Sequence, residues 1–154
     1  MKTSPAPPEI TRSATTPHWA HVAVVGASGT GKSTLAAALV RFLDPSRGTV
    51  RVGGTDLRTL DPGAVHSVVG LVEDDPYVFS SSVLENVRLA RPGAGRVQVE
   101  AALRRVSLGP WLDGLPDGLD TLVGDGHDAV SGGERARLGL ARAVLADTAV
   151  LVLD

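Results

Sequence analysis

Gly26-Ala27-Ser28-Gly29-Thr30-Gly31-Lys32-Ser33 fills every fixed position of the pattern G-x-x-x-x-G-K-[ST]. Immediately before it, Val22-Ala23-Val24-Val25 is a short, wholly apolar run, expected of a strand covered on both faces. Immediately after it, Leu35, Leu39 and Leu43 recur at helical spacing, which predicts a helix from Ser33 to Leu43 ended by Pro45. Between a strand and a helix the glycines acquire a physical purpose. They let the backbone curl until successive N–H groups point into one concavity, and the helix start adds unpaired donors and partial positive charge. Phosphate oxygens suit that concavity, so Gly26, Ala27, Ser28, Gly29, Thr30, Gly31, Lys32, Ser33 and Thr34 are the expected nucleotide-binding residues. Lys32 is expected at the β- and γ-phosphates, and the Ser33 hydroxyl on a magnesium ion that bridges them. A bare glycine-rich turn with no ligand is the bland alternative, disfavoured by a complete match in this context.

Working outward, Val68-Val69-Gly70-Leu71-Val72 and Ala149-Val150-Leu151-Val152-Leu153 are two more apolar runs. With Val22–Val25 they predict three buried strands of a mainly parallel sheet. Thr49-Val50-Arg51-Val52 alternates like a half-exposed strand and leads into a Gly53-Gly54 turn. Val97 to Val106 reads as a helix with Glu100 four residues before Arg104, and Glu134 to Leu145 as another with Leu138, Ala141 and Leu145 on one face. The fold class is α/β, a parallel sheet flanked by helices, without internal repeats. Met1 to Pro17, rich in Pro, Ser and Thr and without periodicity, reads as a loose arm.

Composition limits the functions this fold can serve. The 154 residues, 43% of them apolar, can bury one core of ordinary size. A net charge of −2 supplies no surplus of cations for phosphate backbones, so nucleic acid is not an expected partner. The absence of cysteine excludes a disulfide framework and thiolate metal sites. No apolar run approaches the roughly 20 residues a membrane-spanning helix needs, so any membrane role is expected to be peripheral.

A second glycine-rich element, Val130-Ser131-Gly132-Gly133-Glu134-Arg135, opens the last predicted helix. As plain helix chemistry it is a capped start, with Ser131 as cap and Glu134 completing a capping box. In company with the first loop it resembles the signature L-S-G-G-Q of ATP-binding cassettes, in which Ser131, Gly132, Gly133 and Glu134 would meet a phosphate at the helix N-terminus. Val150-Leu151-Val152-Leu153-Asp154 resembles the second phosphate-site strand of the same family, which implies that Asp154 holds magnesium. The family continues with a glutamate that activates water and a switch histidine. No residue of this sequence matches either, since His18, His21, His66 and His127 all precede Asp154.

The resemblance extends over Val22 to Asp154 and implies a P-loop NTPase fold with a helical signature subdomain, incomplete at both ends. It divides the chain into an arm at 1–20 and a partial ATP-binding domain at 21–154, with a core at 21–75 and 146–154 and a helical subdomain at about 76–145. Gly118-Leu119-Asp120-Thr121-Leu122-Val123-Gly124-Asp125-Gly126 resembles the exporter stretch G-Y-D-T-x-V-G-E-x-G, and Pro76 to Val87 resembles the exporter Q-loop region. Glu73-Asp74-Asp75-Pro76, the S-G-G-E signature and Asn86 to Pro92 are similar to bacterial cysteine and glutathione exporters of the CydC or CydD type.

The resemblance implies ATP and magnesium as cofactors, Lys32 and Asp154 contributing to catalysis, and Ser33, Asp74 and Asp154 around the metal. The expected partners are a second cassette, paired head to tail, and the transmembrane domains of an exporter at the inner face of the plasma membrane. Two departures weaken the expected catalysis. Asp74 stands where the family places a Q-loop glutamine, and its charge would repel a γ-phosphate. The upstream aromatic that stacks on adenine has no clear counterpart beyond His18 and Trp19. A remnant that binds nucleotide without turnover is therefore the rival reading. A P-loop kinase or GTPase would leave the signature unexplained, and N-K-x-D is absent. A DNA-repair ATPase of this type would split the motifs with a coiled coil.

Overall fold

The computed structural model describes residues 20–126 and 130–154. The expected arm, His18 and Trp19 lie outside the described residues, as does His127. Helix α1 (Lys32–Leu39) follows the glycine-rich loop. It is shorter than its leucine spacing predicts, because Arg41 turns left-handed at φ 58° and the Phe42 amide reaches back to Ala37 O at 2.8 Å. The face it buries also differs: Ala36 and Val40 are buried, while Leu35 and Leu43 are exposed.

Strands β1 (Arg51–Val52) and β2 (Thr55–Asp56) form an antiparallel hairpin. Its two-residue turn is Gly53-Gly54, with φ 57° and 83°, the left-handed pair that tight hairpins require. After the short helix α2 (Pro62–His66), capped by Asp61, strand β3 (Val69–Val72) runs parallel to β6 (Val150–Leu153), with Val69 opposite Val150 and Val72 opposite Leu153. Two of the three expected parallel strands thus pair.

The third does not: Val22 to Val25 forms no ladder, and Val22, Val24 and Val25 are exposed. An apolar β-branched run sets a preference for extended backbone, but a strand exists only where a neighbour takes its hydrogen bonds. Val150, Leu151 and Leu153 are likewise exposed, so β6 is not the covered strand its composition predicts.

The main core lies between Val78 and Leu145. Strand β4 (Ser81–Ser82) pairs antiparallel with β5 (Leu122–Val123), and leads directly into α3 (Val83–Arg88). Helix α4 (Arg96–Arg105) carries the expected ion pair between Glu100 and Arg104 at 2.8 Å. After α5 (Gly109–Asp113), the long α6 (Gly132–Ala146) packs on α3, α4 and β3. Val83, Val87, Val99, Leu103, Leu108, Val123 and Leu138 are wholly or nearly wholly buried there. Ser33 in the first turn of α1 meets Asp154 just after β6, while Arg135 near the start of α6 meets Asp75 just after β3.

Candidate functional site: a glycine-rich phosphate loop and a capped signature helix

Gly29 and Gly31 adopt φ of 79° and 93°, and nothing lies within 4 Å of where their Cβ atoms would stand. The loop is therefore open on the side toward which these glycines face. Gly26 is needed for a different reason: a Cβ there would lie 2.8 Å from Thr30 Oγ1, which donates to Ala27 O at 2.8 Å and tightens the turn. Gly31 caps α1 without a side-chain bond, leaving the first amides of the helix for another acceptor. Lys32 folds back over the loop, its Nζ donating to Gly26 O at 3.0 Å and Ala27 O at 2.9 Å.

Ser33 Oγ donates to Asp154 Oδ1 at 3.0 Å, across 121 residues of sequence. This contact exists because β6 delivers Asp154 from its C-terminal end to the first turn of α1. Two hard oxygen donors at a helix start, beside an open anion cradle, are the donor set that suits magnesium and phosphate together. Asp74, the third expected metal residue, is exposed just after β3. Among the described residues, no hydrogen bond joins it to Ser33 or Asp154, and no three His, Cys, Asp or Glu side chains cluster as a metal site.

The second element is a capped helix in full. Ser131 Oγ accepts from the Glu134 amide at 3.3 Å, and Glu134 Oε2 accepts from the Ser131 amide at 2.8 Å. Gly132 faces open space, whereas Gly133 has the Arg137 guanidinium 3.6 Å from where its Cβ would be.

Asn86 and Arg142 have structural roles that the motif reading does not assign. Asn86, 1% exposed, accepts from the Phe79 amide at 2.9 Å and donates to Phe79 O at 2.9 Å and Ser82 O at 3.1 Å. Arg142 reaches across from α6 to Asn86 O at 2.9 Å, Asn86 Oδ1 at 3.1 Å and Tyr77 O at 2.8 Å. Burial holds its guanidinium below the usual arginine range. The exporter-like stretch lies against the same segment: Val83 N donates to Thr121 O at 3.0 Å and Ser80 Oγ to Asp125 O at 3.1 Å. A groove of about 400 Å³ opens beside it, with Phe42, Tyr77, Phe79 and Arg142 among its walls.

A family model described as ABC transporter matches residues 12–154. Among curated relatives, the mycobactin import ATP-binding/permease protein IrtA of Mycolicibacterium thermoresistibile is 48% identical over 132 residues, 86% of this chain and 14% of that protein. The mitochondrial potassium channel ATP-binding subunit of Xenopus tropicalis is 40% identical over 139 residues, 90% of this chain and 20% of its own length. A solved bacterial Atm1-family ABC exporter with ATP bound superposes with a TM-score of 0.78 at 34% identity, covering 83% of this chain and 22% of that one. The chain thus spans a fifth or less of these two curated relatives.

Proposed function

The chain belongs to the ABC transporter family, and on that premise we propose that it is the ATP-binding part of an exporter, placed on the cytoplasmic side of a plasma membrane. The observation that carries this reading is the open loop at Gly29 and Gly31 with Ser33 and Asp154 joined beside it. Gly26 to Thr34 bind the phosphates through backbone amides. Lys32 would leave the Gly26 and Ala27 carbonyls to meet the β- and γ-phosphates, and Ser33 and Asp154, with Asp74 from the end of β3, would hold magnesium, whose charge would offset that of the phosphates. The described residues include no helix long and apolar enough to cross a membrane, and the transmembrane domains of an exporter would be the partner of this part. Two cassettes pairing head to tail would let Ser131, Gly132, Gly133 and Glu134 of one close over the nucleotide of the other.

The ATP-binding part would divide at about residue 76, with the core at 21–75 and 146–154 and the helical subdomain at about 76–145. The groove walled by Tyr77 and Phe79 is where a membrane domain would touch it. The narrower assignment, an exporter of cysteine or glutathione, rests on Glu73 to Pro76, the S-G-G-E signature and Asn86 to Pro92 alone. Asp74 favours one further reading, nucleotide binding with slow or no turnover, because a carboxylate there opposes the γ-phosphate charge.

Calorimetric titration with MgATP tests the core of the proposal. The wild-type chain is expected to bind and Lys32→Ala to lose binding. A folded wild-type chain that takes up no MgATP would overturn the nucleotide site.

A further inference from the structure

A second cavity, of about 250 Å³, lies between α4 and the end of α6, and no residue of either glycine-rich element belongs to its wall. Its shape follows from one face of α4. Gln98, Ala101, Ala102 and Arg105 stand at i, i+3, i+4 and i+7 of that helix, positions that share a face. Two methyl-sized side chains therefore lie between two long polar ones, and the alanines leave the hollow. Val144, Leu145 and Asp147 from the end of α6 line its other part, and Arg91, in the turn after α3, completes the wall.

The wall carries both signs of charge, on separate elements. Arg88, Arg96 and Arg104, neighbours in the chain, each hold a carboxylate at 2.8–3.0 Å. Among the described residues Arg91 and Arg105 hold none, although Asp147 borders the same cavity. Gln98 gives its side-chain oxygen to the Gly95 amide at 2.9 Å, which leaves its NH2 group as a donor. Two guanidinium forks and an amide are the donor set that suits a carboxylate. The end of α6 has the opposite character. Asp147 turns left-handed at φ 54° and its amide closes on Ala143 O at 3.2 Å, so the carbonyls after Ala143 have no intrahelical donor. A carboxylate beside a helix C-terminus favours a cation. A dianion alone would meet the charge of Asp147, and a cation alone would meet two arginines. Ala102 and Leu145, both buried, give the hollow an apolar floor.

We propose that this cavity binds a small zwitterion, an α-amino acid with an apolar side chain. Its carboxylate meets Arg91, Arg105 and the Gln98 amide, its ammonium meets Asp147 and the end of α6, and its side chain rests on Ala102, Val144 and Leu145. The site is independent of the nucleotide reading, with which it shares no residue.

L-leucine is the probe, followed by ligand-observed nuclear magnetic resonance, with circular dichroism confirming the fold of each variant. The wild-type chain is expected to bind leucine saturably. Isocaproate, which lacks the ammonium, and isoamylamine, which lacks the carboxylate, are each expected to bind about tenfold more weakly, because each leaves a charge of the wall unpaired. Inorganic phosphate is expected to compete poorly, since Asp147 opposes its charge. Arg91→Met and Arg105→Met are expected to weaken leucine by about tenfold. Asp147→Asn, compatible with the left-handed cap, is expected to weaken leucine yet strengthen isocaproate, a reversal that a merely structural role of Asp147 would not produce. Absence of saturable leucine binding by folded wild type overturns the site, as does undiminished leucine binding in both folded arginine variants. Isocaproate as tight as leucine in wild type, or phosphate that displaces leucine at equal concentration, overturns the zwitterion reading. The analogue and phosphate arms use wild type alone, so they decide the matter even where a variant fails to fold.

Discussion

Gly124→Ala tests how tightly the exporter-like stretch is held. Gly124 has φ 95°, and a Cβ there would lie 2.7 Å from Phe79 O, 2.9 Å from Phe79 C and 3.0 Å from Ser80 N. These are main-chain atoms with little freedom to retreat. Asn86 grips both polar groups of Phe79, Ser80 Oγ is tied to Asp125 O, and the β4–β5 ladder begins at the adjoining pair, Ser81 with Val123. A left-handed alanine costs about 1–2 kcal/mol, and forcing a methyl into a packed site about 1–3 kcal/mol more. Gly126→Ala isolates the first contribution, since Gly126 has φ 82° with nothing within 4 Å. The difference between the two variants is the clash alone, about 1–3 kcal/mol, or on the order of 1 M in urea midpoint at the usual slope of about 1–3 kcal/mol/M. Urea unfolding followed by circular dichroism reads it directly. If the two variants unfold at the same urea concentration, the close approach of Gly124 to Phe79 is not a determinant of stability and the reasoning fails.

Three other parts of the molecule make equally specific demands. Asn86→Ala strands the Phe79 amide and one Arg142 nitrogen in a buried site, so stability should fall by about 3 kcal/mol in the same urea assay; an unchanged midpoint would mean the network is dispensable. The side-chain hydrogen bond from Arg58 holds the Asp56 carboxyl down to about 2, and Arg104 and Arg96 hold Asp113 and Asp120 below their usual range in the same way. Depressed folded values mean stability that is present above the ordinary carboxylate range and lost as pH falls toward about 2. Midpoints measured down that range should therefore decline, and less steeply in Asp56→Asn. Finally, Asp74→Gln keeps an oxygen donor for magnesium but removes a charge worth about 1 kcal/mol at ~4 Å in a water-like dielectric, so MgATP should bind about fivefold tighter while MgADP changes less; equal gains for both would show that Asp74 does not sense the γ-phosphate, and weaker MgATP binding that its charge serves the metal.

Legibility in the sequence tracks the range of the interaction. Gly26 to Ser33 and Ser131 to Glu134 are readable because loop geometry and helix capping are decided within a few residues, and the structure shows both the open loop and the capping box. The helix at 96–105 and the hairpin turn at Gly53-Gly54 are local in the same sense. Val22 to Val25 misleads because β propensity does not specify a partner, and Leu35 and Leu43 mislead because α1 ends before their spacing can form a face. The close approach of Gly139 to Pro76 and the bond from Arg142 to Tyr77 O are invisible in the sequence because neither residue declares anything until α6 is laid against the segment after β3. Asn86 stands inside an exporter-like motif, yet its burial depends on Arg142 arriving from α6. The Ser33 to Asp154 bond is the one long-range contact that motif reasoning anticipates, since both residues are expected on the same ion.

The capped-helix and phosphate-binding readings of Ser131 are compatible, and hydrogen-bond stoichiometry explains why. A serine hydroxyl offers one donor and two acceptor positions. The capping box uses an acceptor position, for the Glu134 amide, and leaves the proton free for a phosphate oxygen. Gly132 and Gly133, the first two residues of α6, have amides with no intrahelical acceptor, and they flank that hydroxyl. The first loop has the opposite character. Lys32 is already bonded to Gly26 O and Ala27 O and Ser33 to Asp154, so a nucleotide there must exchange bonds rather than add them. Each neutral bond given up is worth about 0.5–1.5 kcal/mol net, while bonds to charged phosphate reach about 1.5–3 kcal/mol. Exchange would therefore favour a nucleotide at the first loop, while Ser131 could meet a phosphate without giving up its cap. In the proposed head-to-tail pair, nucleotide would then settle first on Gly26 to Thr34, and a signature helix that needs no rearrangement of its own would close afterwards.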